Sequence, residues 1–262
     1  GLNSVVIPES VTSIGGAAFY SNNLTTIKLP SNLKSIGGSA FRANNVTKYD
    51  IPKSVTYIGN AAFIDNKCPK GDEIIYARNS DGSTDYSKIV SGCSGYKSNA
   101  NLVIPAQKNG VKLARIINNA FGESLYTSIT LPNLSETNNL TIEDNAFYHN
   151  SVSGNGAFIY RVTNGKIDYS TLSSYAGQVS GTLTIPEESH GVKLKNIVAS
   201  LNWKSFDTVV IPASVEKISN GVITKTNSCN SKLIKIINKT GKSFNWYGIT
   251  GSSHQNPGTF AT

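Results

Sequence analysis

Methionine is absent from the 262 residues of this chain, and it has only two Trp, three Cys and 15% charged residues. No apolar run approaches the roughly 18 residues that a membrane span needs, and no charged, apolar and small-residue signal peptide opens the chain. Because even position 1 lacks Met, we expect the sequence to be a segment of a longer precursor. Any export signal, anchor or further domain would then lie outside it.

The cysteines do not have the spacing of a metal site. Cys68, Cys93 and Cys229 form no C-x-x-C pair, so a structural zinc site is not indicated. Cys68 and Cys93 flank one irregular segment, and they either form a disulfide in an oxidising compartment or remain buried thiols. The odd count leaves Cys229 unpaired in both cases.

The chain is basic, with 24 Lys and Arg against 16 Asp and Glu and a formal charge of +8. Such a charge favours anionic partners, but it also serves solubility alone. The basic residues are spread along the chain and are not interleaved with aromatic residues on one strip. Specific nucleic-acid binding is therefore not indicated.

The first quarter of the chain repeats one phrase three times. IPESVTSIGGAAF begins at Ile7, LPSNLKSIGGSAF at Leu29 and IPKSVTYIGNAAF at Ile51, in steps of 22 residues. Periods of about 20 to 29 residues with recurring aliphatic positions indicate a solenoid, whose coils bury their apolar edges against each other. The Ala-Phe pair closes each coil. The first glycine of each phrase, as at Gly37, is expected in a turn that needs a permissive backbone.

The same marks continue along the chain. Further aliphatic-proline and Ala-Phe pairs follow at Ile104-Pro105, Leu131-Pro132, Ile185-Pro186, Ile211-Pro212, Ala120-Phe121 and Ala146-Phe147. The last unit has Lys239 in place of the Pro, so residues 229–262 are predicted to form a terminal coil and cap. We predict one mainly β domain over residues 1–262, a right-handed solenoid of about eight coils with little regular helix.

Two inserts, at about 66–100 and 150–180, interrupt the repeat and resemble each other. IYARNSDGSTDYSKI, from Ile75, aligns with IYRVTNGKIDYSTL, from Ile159, so a larger module is duplicated. Each insert contains an Asp-Gly or Asn-Gly dipeptide, which favours a tight hairpin turn. We predict two β-hairpins that either project from the solenoid or cap a seam in it.

The repeat phrase resembles that of a known family. Residues 24–41 match every position of L-x-x-I-x-L-P-x-x-L-x-x-I-x-x-x-A-F, and the sequence is similar to the BspA-like, or Treponema-type, leucine-rich repeats of bacterial surface proteins. The similarity covers residues 1–63 and 102–147 and weakens at 185–223. It implies a leucine-rich-repeat solenoid that is secreted or displayed at the cell surface and acts in adhesion to host protein, matrix or neighbouring cells.

Patterns typical of catalysis or metal binding are not found in the sequence. His149, His190 and His254 lie in polar, loop-like stretches without metal-ligand spacing. The segment NSDGSTD, Asn79 to Asp85, alternates oxygen-bearing side chains like a calcium loop. It lacks the glycine and glutamate at the required positions, so we predict a hairpin turn. We expect no enzymatic activity, no cofactor and no metal.

Function is expected at the positions that the repeat leaves free, because a solenoid presents its outward side chains in rows. The row that precedes the later Ile of each coil is the more basic one and carries one aromatic residue. Its residues are Ser13, Ser35, Tyr57, Arg115, Thr141, Asn196 and Lys217, with Lys34 and Lys195 one step before. Aromatic residues of the inserts, which we expect either to be exposed or to pack each hairpin onto the solenoid, are Tyr76, Tyr86, Tyr96, Tyr160, Tyr169 and Tyr175.

A candidate binding surface follows from these two sets of residues. It consists of Lys34, Tyr57, Arg115, Lys195, Lys217, Tyr76, Tyr86, Tyr160 and Tyr169. The predicted function is a monomeric protein-binding or adhesion module whose partner is a host or matrix protein or an anionic glycan. The alternative is a structural spacer or stalk that presents another domain of a longer precursor.

Overall fold

The chain folds into a solenoid of short strands and turns, as the repeat predicts. A computed structural model describes residues 1–68, 74–93, 101–122, 124, 126–148, 150–177, 181–199, 201, 206–219 and 235–242. These residues make about seven turns, and the last strand begins a further one. Helix in this part of the chain is limited to two single 3-10 turns, Leu134–Glu136 and Gly154–Ala157. None of the described helices has the length and apolar character needed to cross a membrane.

The strands are short and follow the repeat. The first three coils contain β1 Ser4–Val6, β2 Ser13–Ile14, β3 Thr26–Lys28, β4 Ser35–Ile36 and β5 Tyr57–Ile58. The first module contains β6 Ile74–Arg78, β7 Thr84–Gly92, β8 Asn101–Val103, β9 Gln107–Lys108, β10 Val111–Lys112, β11 Arg115–Ile116, β12 Ser128–Thr130 and β13 Thr141–Ile142. The second module and the described end contain β14 Phe158–Thr163, β15 Lys166–Tyr175, β16 Gly181–Thr184, β17 Glu188–Ser189, β18 Val192–Lys193, β19 Asn196–Ile197, β20 Phe206–Ile211, β21 Lys217–Ile218 and β22 Lys235–Asn238.

The coils stack through two parallel ladders. The first ladder contains the strand of the L-x-x-I-x-L phrase, so that Val5 pairs with Ile27 of the next coil. The second ladder contains the strand that ends at the later Ile, so that Ile14, Ile36 and Ile58 lie in register and are all buried. The 22-residue period therefore places equivalent aliphatic side chains directly above one another.

The first ladder is interrupted at both inserts. It consists of the separate pieces β1-β3, β8-β12 and β16-β20-β22. Residues 46–51 of the third coil, which hold the position of the L-x-x-I-x-L phrase, form no strand. The next segment of the chain is a hairpin that joins the second ladder, so no strand follows residues 46–51 in the first ladder until β8.

The two inserts are hairpins that lie at junctions between coils, which we call seams, and they do not project from the solenoid. At the first seam β6 lies next to β5 without pairing with it. In the first hairpin β6 pairs with β7, and β7 continues the ladder through the parallel pair Ile89 and Ile116. In the second hairpin β14 pairs with β15, and β15 continues it through Leu172 and Ile197. Each hairpin thereby adds two strands to the second ladder and none to the first.

Two smaller hairpins, which the sequence analysis missed, follow the two large ones. The pairs β9-β10 and β17-β18 turn at Asn109-Gly110 and His190-Gly191. The φ values of these turn residues are 51° and 77°, and 52° and 74°. Two successive positive φ angles are those of the type I′ turn that joins closely paired antiparallel strands.

Stacked phenylalanines form the centre of the coils. The rings of Phe19 and Phe41 lie 5.2 Å apart and those of Phe41 and Phe63 lie 5.7 Å apart, each pair nearly parallel. Phe121 and Phe147 repeat the stack at 5.4 Å in the first module. The Ala-Phe pair thus closes each coil by stacking on its neighbour, as its spacing predicts.

A buried asparagine three residues after the Phe ties neighbouring coils together. Asn44 accepts a backbone N–H through Oδ1, and its Nδ2 donates to the carbonyl oxygens of Phe19 at 2.8 Å and Phe41 at 3.0 Å. Asn66 and Asn150 make equivalent hydrogen bonds in their own coils. The A-F-x-x-N pattern therefore satisfies backbone groups at the buried corner of the coil, where water does not reach.

The first glycine of the second and third phrases, Gly37 and Gly59, serves close packing between coils. None of the three first glycines has a positive φ, so the predicted need for a permissive turn backbone was wrong. The positive φ angles fall two residues later, on Ala17 at 54° and Ser39 at 55°. A Cβ on Gly37 would instead overlap the backbone of Gly16 in the preceding coil. Glycine is needed at this position because adjacent backbones approach more closely than a side chain allows.

A disulfide joins Cys68 and Cys93 across the first seam, with 5.7 Å between their Cα atoms. At the equivalent place in the second module, the N–H of Val152 donates to the carbonyl oxygen of Ala176 at 3.1 Å. The same junction is thus held covalently in one module and by a backbone hydrogen bond in the other. Cys229 lies outside the described residues.

Candidate functional site

The second ladder carries the predicted row of outward side chains, which we call the outer row. Strand pairing aligns it in three registers: Ser13–Ser35–Tyr57, Lys88–Arg115–Thr141 and Thr171–Asn196–Lys217. Each of these residues precedes a core aliphatic residue, and alternate residues of a strand point to opposite faces. The row therefore faces away from the core, although Thr171 is covered and only 2% exposed.

Two cations near this face are already neutralised. Arg115 Nη2 lies 2.6 Å from Glu143 Oε1, and Lys195 Nζ lies 3.5 Å from Glu216 Oε1. These pairs reduce the charge available to a partner. The lysines of the face without an acidic partner among the described residues are Lys34, Lys88 and Lys217.

A depression of about 270 Å³ lies on the outer row beside the first hairpin. Its lining includes Tyr57, Arg78, Lys88, Asn118 and Glu143. Tyr57 is 59% exposed, which is unusual for a large aromatic side chain within a ladder. The depression therefore combines an exposed ring, two cations and hydrogen-bonding groups.

Arg78 is fixed in place by the hairpin that carries it. Its Nη1 donates to the carbonyl oxygen of Gly82 and to Thr84 Oγ1, both at 3.2 Å. Its Nη2 donates to the carbonyl oxygen of Ile51 in the third coil at 3.3 Å. Partial burial lowers the pKa of the guanidinium, but Arg keeps its charge at neutral pH. Arg78 therefore holds a positive charge in a fixed position between the first hairpin and the third coil.

The tyrosines of the inserts pack the hairpins rather than stand free. Tyr76 and Tyr175 are 8% and 2% exposed, so of the two alternatives, exposure or packing onto the solenoid, both residues follow the second. Tyr86 and Tyr169 are half-buried, and their rings lie 5.1 Å from Tyr76 and 5.4 Å from Tyr160. Burial raises the pKa of Tyr76 to about 12. The duplicated module repeats the same tyrosine pair because the pair fixes the bulged hairpin to the solenoid. Tyr96 lies outside the described residues.

The predicted candidate residues do not form one patch. Tyr57 lines the depression on the outer row, whereas Tyr76 and Tyr86 line a second cavity on the other side of Arg78. Lys195 and Lys217 belong to coils that follow the second hairpin. The structure thus separates the candidate residues into the outer row and the two seams.

The segments considered for metal or acid-base chemistry have structural roles. Asp81 Oδ1 accepts both the N–H and the hydroxyl of Ser83, which holds the pKa of this carboxyl below its usual value and confirms the predicted hairpin turn. The ring of His190 stacks on Tyr169 at 4.2 Å. Among the described residues, no three His, Cys, Asp or Glu side chains are placed to share a metal ion. His149 and His254 lie outside that part of the chain.

The sequence analysis missed Lys88 and Arg78, because the hairpins were not assigned to the ladder. The repeated D-Y-S motif, in which Asp85 and Asp168 each accept the N–H and hydroxyl of the serine two residues later, marks the two hairpins but not their pairing with the coils. The long-range pairing was needed to add Lys88 to the row.

A family model described as BspA type leucine rich repeat region matches residues 1–86 in six copies, which confirms the resemblance drawn from the repeat phrase. A comparison with curated proteins finds no match.

Solved structures of bacterial leucine-rich repeat proteins are also similar to the chain. A leucine rich cell surface protein from Faecalibacterium prausnitzii has 23% identity and a TM-score of 0.45, with 92% of this chain and 60% of that one covered. A leucine-rich repeat protein from Bacteroides ovatus has 21% identity and a TM-score of 0.35, with 88% and 48% covered. One from Eubacterium ventriosum has 18% identity and a TM-score of 0.34, with 83% and 56% covered. The chain thus spans about half to three-fifths of the length of these solved chains.

Proposed function

We propose that this chain, whose residues 1–86 match the model of the BspA type leucine rich repeat region, is a protein-binding module that acts outside the cell or at its surface. The described residues form a rigid stack with an open, outward row of side chains, and such surfaces commonly bind extended partners. The Cys68–Cys93 disulfide supports an oxidising location, because disulfides persist outside the cytosol. The finer proposal is adhesion to a host or matrix protein or to a neighbouring cell.

The depression around Tyr57 carries this proposal. Tyr57 is exposed beside Lys88, which has no acidic partner among the described residues, and beside the fixed guanidinium of Arg78. Aromatic and arginine side chains are the residues most often dominant in protein interfaces. Together with the charge of +8, they favour an acidic surface on the partner protein.

The test is binding of the purified chain to a panel of matrix proteins, at low and at physiological salt. We expect a saturable signal that survives physiological salt and falls about tenfold in Tyr57→Ala and in Lys88→Glu. Lys166→Glu is the matched control, because Lys166 is an exposed lysine on the second hairpin, outside the row. Signals found only at low salt would report the net charge and contradict a specific site.

A structural spacer is the second candidate. It is favoured by the neutralised pairs Arg115–Glu143 and Lys195–Glu216 and by the small polar side chains elsewhere on the row, such as Ser13 and Ser35. A spacer predicts no binding to any panel member. It also predicts no effect of Tyr57→Ala on attachment of cells that display the chain, whereas the binding module predicts a loss of attachment.

A further inference from the structure

A groove of about 560 Å³ lies at the first seam, where the first ladder is interrupted. The third coil, the first hairpin and the strand β8 surround it, and its lining includes Lys48, Tyr49, Tyr76, Tyr86, Val103 and Lys108. The groove exists because both strands of the hairpin belong to the second ladder. The first ladder therefore has a gap between the third coil and β8. Its volume is within the range of about 300 to 1,000 Å³ that is typical of ligand sites.

We propose that this groove binds an acidic sugar, such as a uronic or sialic acid unit of a glycan. The proposal goes beyond protein binding by the outer row. Arg78 lines both sites, but neither Tyr57 nor Lys88 lines this groove, and neither Lys48 nor Lys108 lines the depression.

The duplicated module shows that the fold itself does not require this lining. Alignment of the two modules places Ser128 at the position of Lys48, Val162 at that of Arg78 and Ser189 at that of Lys108. The second seam therefore forms an equivalent hairpin without any of the three cations, and there β14 also pairs with the preceding strand β13, as β6 does not with β5. The presence of the cations at the first seam is a property of the groove and not of the scaffold.

The residue pair that begins the hairpin is also smaller at the first seam than at the second. At the second seam Phe158 pairs with Tyr175, and their rings lie 5.2 Å apart. At the first seam the equivalent pair is Ile74 and Gly92, and Ile74 lines the groove. The first seam thus has less side-chain volume at a pair where the second has two large rings.

The charges of the groove favour an anion. Lys48 Nζ lies 3.3 Å from Asp50, but both side chains are more than three-quarters exposed, so the pair is weak and exchangeable. Lys108 is exposed and has no acidic partner among the described residues. Arg78 also lines the groove and adds a fixed positive charge. A carboxylate placed between Lys48 and Lys108 would gain charge-assisted hydrogen bonds.

The remaining walls favour a sugar ring. Tyr76, Tyr86 and Val103 offer apolar surface to the C–H faces of a pyranose. Thr47 also lines the groove, and its exposed side chain offers a hydroxyl that can exchange hydrogen bonds with those of a sugar. An acidic sugar supplies the ring face, the hydroxyls and the carboxylate in one ligand.

The test is titration of the whole chain with trigalacturonate and with sialyllactose at physiological salt, followed by ligand-observed NMR and calorimetry. Cellotriose and lactose serve as neutral counterparts. We expect saturable binding of at least one acidic probe and none of the neutral ones. Lys48→Ser and Lys108→Ser, which introduce the residues of the second seam, should each weaken binding about tenfold.

Lys112→Ser is the matched control, because Lys112 is an exposed lysine of the same small hairpin that does not line the groove. Equal weakening by Lys112→Ser would show attraction to net charge only and overturn the proposal. So would equal binding of the neutral sugars, absence of binding to both acidic probes, or full competition by an acidic hexapeptide. Binding of matrix proteins by Tyr57 is measured separately, so either proposal can fail without the other.

Discussion

The backbone N–H of Phe63 donates to the hydroxyl of Ser91 on the first hairpin, with 3.2 Å between N and Oγ. In coils that stack directly, the same N–H meets a carbonyl oxygen of the next coil, as Phe19 does with Ala40 at 2.8 Å. At the seam no such carbonyl follows, so a serine side chain supplies the acceptor. A hairpin can therefore replace a coil without leaving a buried N–H unsatisfied.

We predict that Ser91→Ala lowers the free energy of unfolding by about 1–3 kcal/mol, because it leaves the buried N–H of Phe63 without its acceptor. Ser174→Ala should do the same at the second seam, where Ser174 accepts the N–H of Phe147 at 3.3 Å. Urea unfolding of the whole chain measures both. Ser10→Ala, at an exposed position, is the control and should change little. A Ser91→Ala variant as stable as Ser10→Ala would contradict the role of the hydroxyl.

The buried asparagines give a second prediction. Asn44→Asp keeps an acceptor for the N–H of Leu24 but places a carboxylate against the carbonyl oxygens of Phe19 and Phe41, to which Asn44 donates. We expect a loss of about 3 kcal/mol or more at neutral pH, because a buried charge is left unpaired. Asn3→Asp, at an exposed position, is the control. Equal melting temperatures for the two variants would contradict the prediction.

The coils could be predicted well because their core depends on local spacing. Val55 and Ile58 are buried where the period places them, and Phe63 stacks where its phrase ends. The asparagine at Asn66 was equally periodic. It was not recognised because a polar residue in a loop-like stretch normally indicates exposure, whereas here it satisfies backbone groups inside the coil.

The seams could not be predicted, because they depend on pairing between distant segments. Nothing local to Lys88 shows that it lies beside Arg115, and that pairing places it on the outer row. The burial of Tyr76 likewise follows from the hairpin lying against the third coil. The sequence predicted the two hairpins but did not decide whether they project from the solenoid or cap a seam in it. Long-range contacts decide between these two arrangements.

The tip of the first hairpin gives a third prediction. Gly82 has φ of 79°, and a Cβ there would overlap the carbonyl oxygen of Lys53 in the third coil. Gly110 has a similar φ of 77° but open space around it. Gly110→Ala should therefore cost only the backbone strain, about 1–2 kcal/mol, and Gly82→Ala should cost more because the hairpin must move away from the coil. Equal unfolding midpoints for the two variants would show that the tip does not rest on Lys53.

The disulfide gives the last prediction. Titration of thiols in the unfolded chain should find one without reductant, that of Cys229, and three after reduction, because Cys68 and Cys93 are bonded. Replacing both bonded cysteines by serine should destabilise the first seam by about 3 kcal/mol, since the bond closes a loop of 25 residues. Hydrogen exchange should then accelerate in β6 and β7. It should remain unchanged in β14 and β15, where a hydrogen bond between Val152 and Ala176 holds the equivalent junction. Acceleration in both hairpins alike would mean that the seams do not unfold independently, and three thiols without reductant would show that the bond is absent.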